Sequence, residues 1–109
     1  MELKKETGTL IMAHNYQRPE VQDIADILGD SLELARLAAK VPQERILLCG
    51  VRFMAESAKI VAPEKTVVTP EEEAGCPMAD MITADDIRSL RQEFPRHLFM
   101  AYVNTSAEV

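Results

Sequence analysis

Large aromatic side chains and cysteines are scarce in this sequence. It has no tryptophan, two tyrosines, three phenylalanines and two cysteines in 109 residues. The core therefore has to be built mainly from Leu, Ile, Val, Ala and Met side chains. A disulfide framework requires more cysteines at closer spacing, so we expect Cys49 and Cys76 to be free thiols or metal ligands.

Positive charge and long apolar runs are also lacking. Twelve Lys and Arg residues against 18 Asp and Glu residues leave a net charge of −6. Nucleic acids and anionic membranes require a basic surface, so neither is an expected partner. No apolar run approaches the roughly 20 residues that cross a bilayer, and the charged start lacks a secretory segment. We therefore expect a cytoplasmic protein.

The sequence does contain an alternation of apolar runs and helical spacing over the length of one domain, residues 1–109. Strands are predicted at residues 9–13, 45–51, 66–69 and 97–103. Helical segments between the strands favour parallel pairing with right-handed connections. The predicted fold class is α/β, a three-layer αβα sandwich around a four-stranded parallel sheet with the flavodoxin-like order 2-1-3-4.

Helix boundaries are marked by proline, glycine and capping residues. Apolar residues at helical spacing after Pro19 predict a helix that ends at Gly29, its C-terminal cap. Asp30 is predicted to cap the next helix. Thr83 is predicted to cap the last helix. The buried side of that last helix is predicted to be Ile87, Leu90 and Phe94.

Polar side chains follow the predicted strands, at the edge where parallel α/β sheets bind ligands. His14 and Tyr16 follow the first strand, and Tyr102 and Asn104 end the last one. The other candidates are Ser31, Arg52, Phe53, Glu56 and Cys76. Because these side chains project from one edge of the sheet, we expect a pocket with an imidazole, two phenols, an amide and a thiol.

Each candidate also has a purely structural interpretation. His14 would hydrogen-bond the backbone, Ser31 would cap a helix and Asn104 would lie in a turn. The tyrosines would pack their rings and expose their hydroxyls. Cys76 lies in a Gly-Cys-Pro loop, where a thiol is exposed enough to react or to bind metal. One thiol alone is not a metal site, since zinc and iron–sulfur centres take about three or four protein ligands.

Six segments of this sequence resemble the quinolinate synthase family, in the family's order and at similar spacing. They are Ala13-His-Asn-Tyr-Gln17, Gly29-Asp-Ser-Leu-Glu-Leu34, Cys49-Gly-Val, Phe53-Met-Ala-Glu56, Ala74-Gly-Cys-Pro-Met-Ala-Asp80 and Tyr102-Val-Asn-Thr105. The resemblance covers essentially the whole chain. It corresponds to the first of three similar α/β domains that the family arranges about a pseudo-threefold axis.

The resemblance implies an activity and a role for individual residues. The family condenses iminoaspartate with dihydroxyacetone phosphate to give quinolinate, a precursor of NAD, with the assistance of a [4Fe-4S] cluster. Cys76 would be one cluster ligand. The residues implied to bind iminoaspartate are His14, Ser31, Tyr102, Val103 and Asn104. Tyr16 would lie near the reacting centre and assist proton transfer, and Phe53 and Glu56 would shape the pocket.

The family's second and third domains, with two further cluster cysteines, are expected to lie outside this sequence. One hypothesis is that the chain is a folded but catalytically incomplete domain of the enzyme. A second is a homotrimer, in which three copies bring their Cys76 thiolates together about a true threefold axis. A third is a non-catalytic α/β domain that uses the pocket to bind a small dicarboxylate.

Overall fold

The computed structural model describes residues 2–109 and has an α/β fold with helices on both faces of one sheet. The strands are β1 Thr9–His14, β2 Ile27–Gly29, β3 Arg45–Cys49 and β4 Thr66–Val68. The helices are α1 Glu2–Thr7, α2 Pro19–Gln22, α3 Ser31–Ala38, α4 Arg52–Val61 and α5 Ala84–Glu93, with a 3₁₀ turn at Ala79–Met81. Among residues 2–109, no helix combines the length and the apolar character needed to cross a membrane.

All four strands run parallel, in the order β2-β1-β3-β4. Strand β1 lies inside the sheet, where its residues 12–14 pair with β2 and its residues 9–13 pair with β3. This register brings the carboxyl ends of the first three strands to one edge. The predicted fold class and the four-stranded parallel sheet are confirmed. The observed order has the predicted numerals, 2-1-3-4, but its neighbours differ, because the strand at 66–68 was predicted to pair with β1 and pairs with β3 instead.

The second strand replaces the end of a predicted helix. Helix α2 stops at Gln22, and β2 ends at Gly29, which is not a helix cap. The backbone N–H of Asp26 donates to the Ile11 carbonyl over 2.8 Å, and its Oδ2 accepts from the Ile11 N–H over 2.9 Å. These bonds draw the segment to the edge of β1. Pairing with β1 therefore overrides a spacing that fits a helix.

The strand predicted at residues 97–103 does not form, so that prediction is wrong. In the part of the chain that the structure describes, the sheet ends at β4, and no further strand pairs with it. Leu98, Met100 and Tyr102 are 88, 90 and 75% exposed. An apolar run becomes a strand only when a neighbouring strand satisfies its backbone groups. The sheet thus has the predicted number of strands, but one of them, β2, comes from a segment that was predicted to be helical.

The larger of two cores lies on the sheet face covered by α3 and α4. Its most deeply buried side chains include Met12, Leu34, Ile46, Leu48 and Ala58. The opposite face has a smaller cluster of Ile11, Ala13 and Cys49, against which Val21 of α2 packs. The core is aliphatic except for Phe53 and the sulfur-containing side chains, as the scarcity of aromatic residues predicts.

Helix α5 begins at the predicted cap but is not packed on its predicted side. The Thr83 Oγ1 accepts from the Asp86 N–H, and an Asp86 carboxylate oxygen accepts from the Thr83 N–H over 2.8 Å. No residue of α5 is buried. The prediction of a buried side at Ile87, Leu90 and Phe94 is therefore wrong, and Phe94 is 40% exposed.

Candidate functional site

A cavity of about 450 Å³ lies at the carboxyl edge of the sheet. It opens where β1, β2 and β3 end and where α3 and α4 begin. The structure brings all of the predicted catalytic, substrate-binding and cluster-ligating residues to its wall. They are His14, Tyr16, Ser31, Cys76, Tyr102, Val103 and Asn104. Residues up to 90 positions apart in sequence therefore share one cavity, which is the arrangement that chemistry at this edge requires.

His14 is the last residue of β1 and is only 6% exposed. Burial lowers its pKa from the ordinary value, and the nearby negative charge of Asp30 opposes this shift in part. The backbone N–H of Tyr16 donates to the His14 Nδ1 over 3.2 Å. A ring nitrogen that accepts a hydrogen bond carries no proton, so the neutral imidazole carries its proton on Nε2. His14 is thus a neutral donor at the cavity wall.

Tyr16 lies in the turn that follows β1. Its ring meets the His14 ring edge to face, with centroids 4.7 Å apart, yet the residue is 90% exposed. The turn is fixed by backbone bonds from Gln17 N–H to the His14 carbonyl at 2.9 Å and from Asn15 N–H to the Gly29 carbonyl at 3.1 Å. The phenol of Tyr16 therefore stands at the solvent side of the cavity, on a fixed backbone.

Ser31 is the first residue of α3 and does not act as its cap. The Asp30 Oδ1 accepts from the Glu33 N–H over 2.8 Å, which makes Asp30 the N-cap, as predicted. The Ser31 hydroxyl is therefore not used for capping. The first turns of α3 and of α4 both border the cavity. The two helix N-termini contribute positive ends of backbone dipoles to the cavity wall, and the Asp30 carboxylate, which also lines it, contributes a negative charge.

Cys76 sits in a loop that is attached to the first turn of α4. The Ala74 carbonyl accepts from the Arg52 N–H over 2.8 Å, and the Cys76 carbonyl accepts from the N–H groups of Ala79 and Asp80 over 2.8 and 3.1 Å. Ala79 is 4% exposed and anchors the loop in the core. The Cys76 thiol is half-buried and borders the cavity. Its position is thus defined by contacts on both sides of it.

The segment 102–107 reaches the cavity without belonging to the sheet. The Ala107 N–H donates to the Glu56 Oε2 over 2.8 Å, and the Asn104 amide nitrogen lies 3.9 Å from the Met78 sulfur. Tyr102, Val103 and Asn104 thereby line the cavity although the predicted strand before them is absent. The sequence prediction brought these residues to the site by strand pairing, whereas side-chain contacts do so in the structure.

Sequence reasoning missed part of the cavity wall. The additional lining residues are Gln17, Asp30, Leu32, Gly50, Val51 and Met54. The prediction extended strand two to residue 51, but β3 ends at Cys49. Gly50 was the available signal, because a Cβ at this position would come within 2.8 Å of the Met54 sulfur. A glycine directly after an apolar strand indicates a close approach of side chains, here those of Leu48 and Met54.

The donor set for a metal is small. Among residues 2–109, no three His, Cys, Asp or Glu side chains are grouped so that they could hold a metal ion. Cys49 is buried in β3, and burial raises the pKa of its thiol, as expected of a core cysteine. Cys76 is the remaining thiol of the chain, so these residues offer one thiolate ligand at the cavity.

Comparison with known proteins gives a consistent result over the whole chain. The family described as quinolinate synthetase A protein matches residues 1–109. The quinolinate synthase of Aquifex aeolicus (strain VF5) is 61% identical over 107 residues, which cover 98% of this chain and 33% of that protein. That of Methanoregula boonei is 54% identical over 109 residues, or 100% of this chain and 36% of that protein. The chain thus spans about a third of the length of these curated relatives.

Proposed function

The chain belongs to the quinolinate synthetase A family, and we propose that its cavity is part of the active site of a quinolinate synthase. The proposed reaction condenses iminoaspartate with dihydroxyacetone phosphate to give quinolinate, for the biosynthesis of NAD. The observation that carries this proposal is the convergence of His14, Ser31, Cys76 and the segment 102–104 on one cavity. Because the chain is about a third of its relatives' length, we assign it substrate binding and one cluster ligand rather than the complete activity.

The proposed substrate of this cavity is iminoaspartate, which has two carboxylates that need donors. The His14 Nε2–H, the Ser31 hydroxyl and the Asn104 amide are uncharged donors on the cavity wall. The N-termini of α3 and α4 add backbone dipoles of the required sign. Hydrogen bonds to a charged acceptor are stronger than bonds between neutral groups. A dicarboxylate can therefore bind here although the chain has a net charge of −6.

The neutral state of His14 matters for this role. A neutral imidazole donates one proton through Nε2 while Nδ1 keeps its bond from the Tyr16 N–H. Protonation would turn Nδ1 into a second donor and break that bond, which holds the turn that carries Tyr16. We propose that His14 orients the substrate as a neutral donor. Tyr16, 4.7 Å away between ring centroids, assists proton transfer at the solvent side.

The proposed cofactor is a [4Fe-4S] cluster with Cys76 as one of its ligands. A thiol in a fixed loop at the cavity suits that role, but a four-iron cluster needs about three or four thiolates. The residues described here supply one, so the others would come from elsewhere in the protein or from other copies of the chain. A bound cluster with an open iron position would act as a Lewis acid on substrate. The chain's own part is to hold Cys76 beside the donors for iminoaspartate.

A direct test of the binding proposal is an NMR titration of the chain with succinate, a stable dicarboxylate. Shifts are expected at His14, Ser31 and Asn104, and His14→Gln should weaken binding by about tenfold, because one bond to a charged group is lost. His97→Gln is the matched control, since His97 is exposed and is not among the residues that line the cavity. An intact sheet with no succinate-dependent shift at these residues would show the proposal to be wrong.

A second test addresses the cluster and the trimer. After anaerobic reconstitution, broad visible absorption is expected only from assemblies that contain three Cys76 thiolates, and Cys76→Ser should abolish it. Light scattering would then report three chains per particle. A monomer that holds iron in the same amount after Cys76→Ser contradicts the assignment of Cys76. A monomer that binds succinate but no iron supports substrate binding and rules out the trimer.

A further inference from the structure

We infer that Glu56 is a positioning residue, whose carboxylate attaches the segment 102–107 to α4 and so holds Tyr102, Val103 and Asn104 at the cavity wall. This inference rests on the proposed function, because it concerns the binding of a dicarboxylate at the same cavity. It assigns to Glu56 a task that is separate from contact with the ligand. Glu56 lies on the outer side of the Cys76 loop, in a smaller neighbouring cavity that also contains Cys76 and Ser106.

The contacts of Glu56 carry the argument. Its Oε2 accepts from the Ala107 N–H over 2.8 Å, and its Oε1 accepts from the Arg52 Nε over 2.9 Å. Both carboxylate oxygens are therefore engaged, and the Glu56 side chain is only 24% exposed. The ion pair with Arg52 fixes the carboxylate in the orientation that receives the Ala107 N–H. A bond from a neutral N–H to a fixed charged acceptor is among the stronger kinds of hydrogen bond.

The segment 102–107 has few other attachments. Within the described residues, only two hydrogen bonds join residues 102–109 to the rest of the chain, those from Ala107 to Glu56 and from Asn104 to the Met78 sulfur. The second is weak, because a thioether is a poor acceptor. The remaining bonds of this segment are local. Glu56 thus supplies the principal directed contact that keeps Asn104 at the cavity.

The same turn of α4 also holds the cysteine loop. The Arg52 N–H donates to the Ala74 carbonyl over 2.8 Å, two residues before Cys76. Arg52 and Glu56 are therefore one unit with two attachments, the Cys76 loop on one side and the segment 102–107 on the other. This unit sets the distance between the thiol and the residues 102–104 across the cavity. Loss of the Glu56 carboxylate should release one of the two.

The test uses three variants of the chain and one control. Glu56→Ala removes both bonds, Ala107→Pro removes only the donated N–H, and Glu56→Gln keeps an uncharged acceptor. Glu72→Gln is the control, because Glu72 is another acidic residue near Arg52 but forms no side-chain hydrogen bond within residues 2–109. The probe is succinate, and binding is measured by titration calorimetry together with amide exchange at Ala107.

Glu56→Ala and Ala107→Pro should each weaken succinate binding by about tenfold. Both release the segment that holds Asn104, and the loss of one hydrogen bond from Asn104 to the charged ligand accounts for a change of this size. Exchange of the amides at 104–107 should rise in Glu56→Ala. The double variant should lose no more than Glu56→Ala alone, because the bond that Ala107→Pro removes is already absent there. Glu56→Gln should restore most of the affinity, and Glu72→Gln should match the unaltered chain. A merely structural role would lower stability without this pattern of non-additivity and rescue.

Two results would overturn the inference. One is a succinate affinity that stays unchanged in Glu56→Ala while the unaltered chain binds succinate. The other is an Ala107 amide that exchanges equally fast in Glu56→Ala and in the unaltered chain. If the unaltered chain fails to bind succinate, the proposed function and the effect on affinity are both contradicted. In that case the amide exchange at 104–107 still decides whether Glu56 holds the segment.

Discussion

Helices α4 and α5 are alike in length and sequence pattern but differ in their surroundings. Each has ten residues and begins after an extended N-cap residue, and each has an apolar side at helical spacing. α5 has a complete capping box at Thr83, whereas Val51, the N-cap of α4, makes no side-chain capping bond. Yet α4 buries Phe53, Met54 and Ala58, and α5 buries nothing. The better-capped helix is the one without a core.

The comparison separates two questions that a sequence pattern combines. Capping residues decide where a helix begins, because they satisfy N–H groups within one turn. Burial depends on whether another element offers an apolar surface at the right place. α4 connects β3 to β4 along the chain, and it packs beside α3 on one face of the sheet. The packed region therefore contributes the stability of the domain, and α5 contributes little to it in this structure.

The strongest test of this contrast compares matched leucines. Leu34→Ala in α3 should lower the free energy of unfolding by about 2–5 kcal/mol, because Leu34 is fully buried and its removal leaves a cavity. Leu90→Ala in α5 should change it by no more than about 0.5 kcal/mol. Urea unfolding followed by circular dichroism measures both. Equal losses would mean that α5 is packed in solution, and the contrast would fail.

The helix caps provide a second and smaller test. Asp30→Ala should lower the free energy of unfolding by about 1 kcal/mol, because α3 belongs to the packed region and loses its bond to the Glu33 N–H. Thr83→Ala should leave the global transition unchanged while the amides of α5 exchange faster, since only local helix is lost. Native-state hydrogen exchange distinguishes these outcomes. A lower free energy of global unfolding in Thr83→Ala would instead show that α5 is coupled to the core.

The two histidines sharpen the same contrast through pH. Burial lowers the folded-state pKa of His14 below its ordinary value of 6.5, so the unfolded chain binds this proton more readily. The contribution of neutral His14 to stability is thus full above pH 6.5 and is lost as the pH falls from there through the folded-state pKa. His14→Gln should remove this part of the pH dependence, and His97→Gln should not. Urea midpoints from pH 5 to 8 provide the measurement, and an identical slope in His14→Gln would contradict it.

The smallest expected effect concerns the missing strand. Leu98→Ser should change the free energy of unfolding by less than about 0.5 kcal/mol, because Leu98 is 88% exposed. The same kind of exchange in a paired strand, Leu47→Ser in β3, should cost more than about 1 kcal/mol, since Leu47 packs on the second core. A large loss at Leu98 would indicate that residues 97–103 pair with the sheet after all.

The predictions from sequence were best where one signal acted alone. Strands β1 and β3 are continuous apolar runs, and Asp30 and Thr83 are caps whose bonds stay within one turn. The prediction of a helix over the segment 27–29 was wrong, because its apolar spacing fits a helix whereas pairing with β1 makes it a strand. The prediction of a strand over the segment 97–103 was also wrong, because this strand-like run pairs with no other strand among the described residues.

The candidate site shows the same division. That residues after parallel strands share one edge follows from topology, so the meeting of His14, Ser31 and Cys76 was predictable. The neutral state of His14 was not, because it depends on its burial and on the bond from the Tyr16 N–H. The contact that brings Asn104 to the cavity was not predictable either. It depends on the bond between Glu56 and Ala107, which lie 51 residues apart in sequence.

The sequence by itself determined the fold class, the helix starts and the family, because apolar periodicity, capping and motif identity are local properties of the chain. Only the tertiary structure decided which segments joined the sheet and which amphipathic helix was buried. It also decided how residues 102–104 reached the cavity. The physical reason is that strand pairing, burial and the bond to Glu56 each need a partner distant in sequence, and no local pattern specifies that partner.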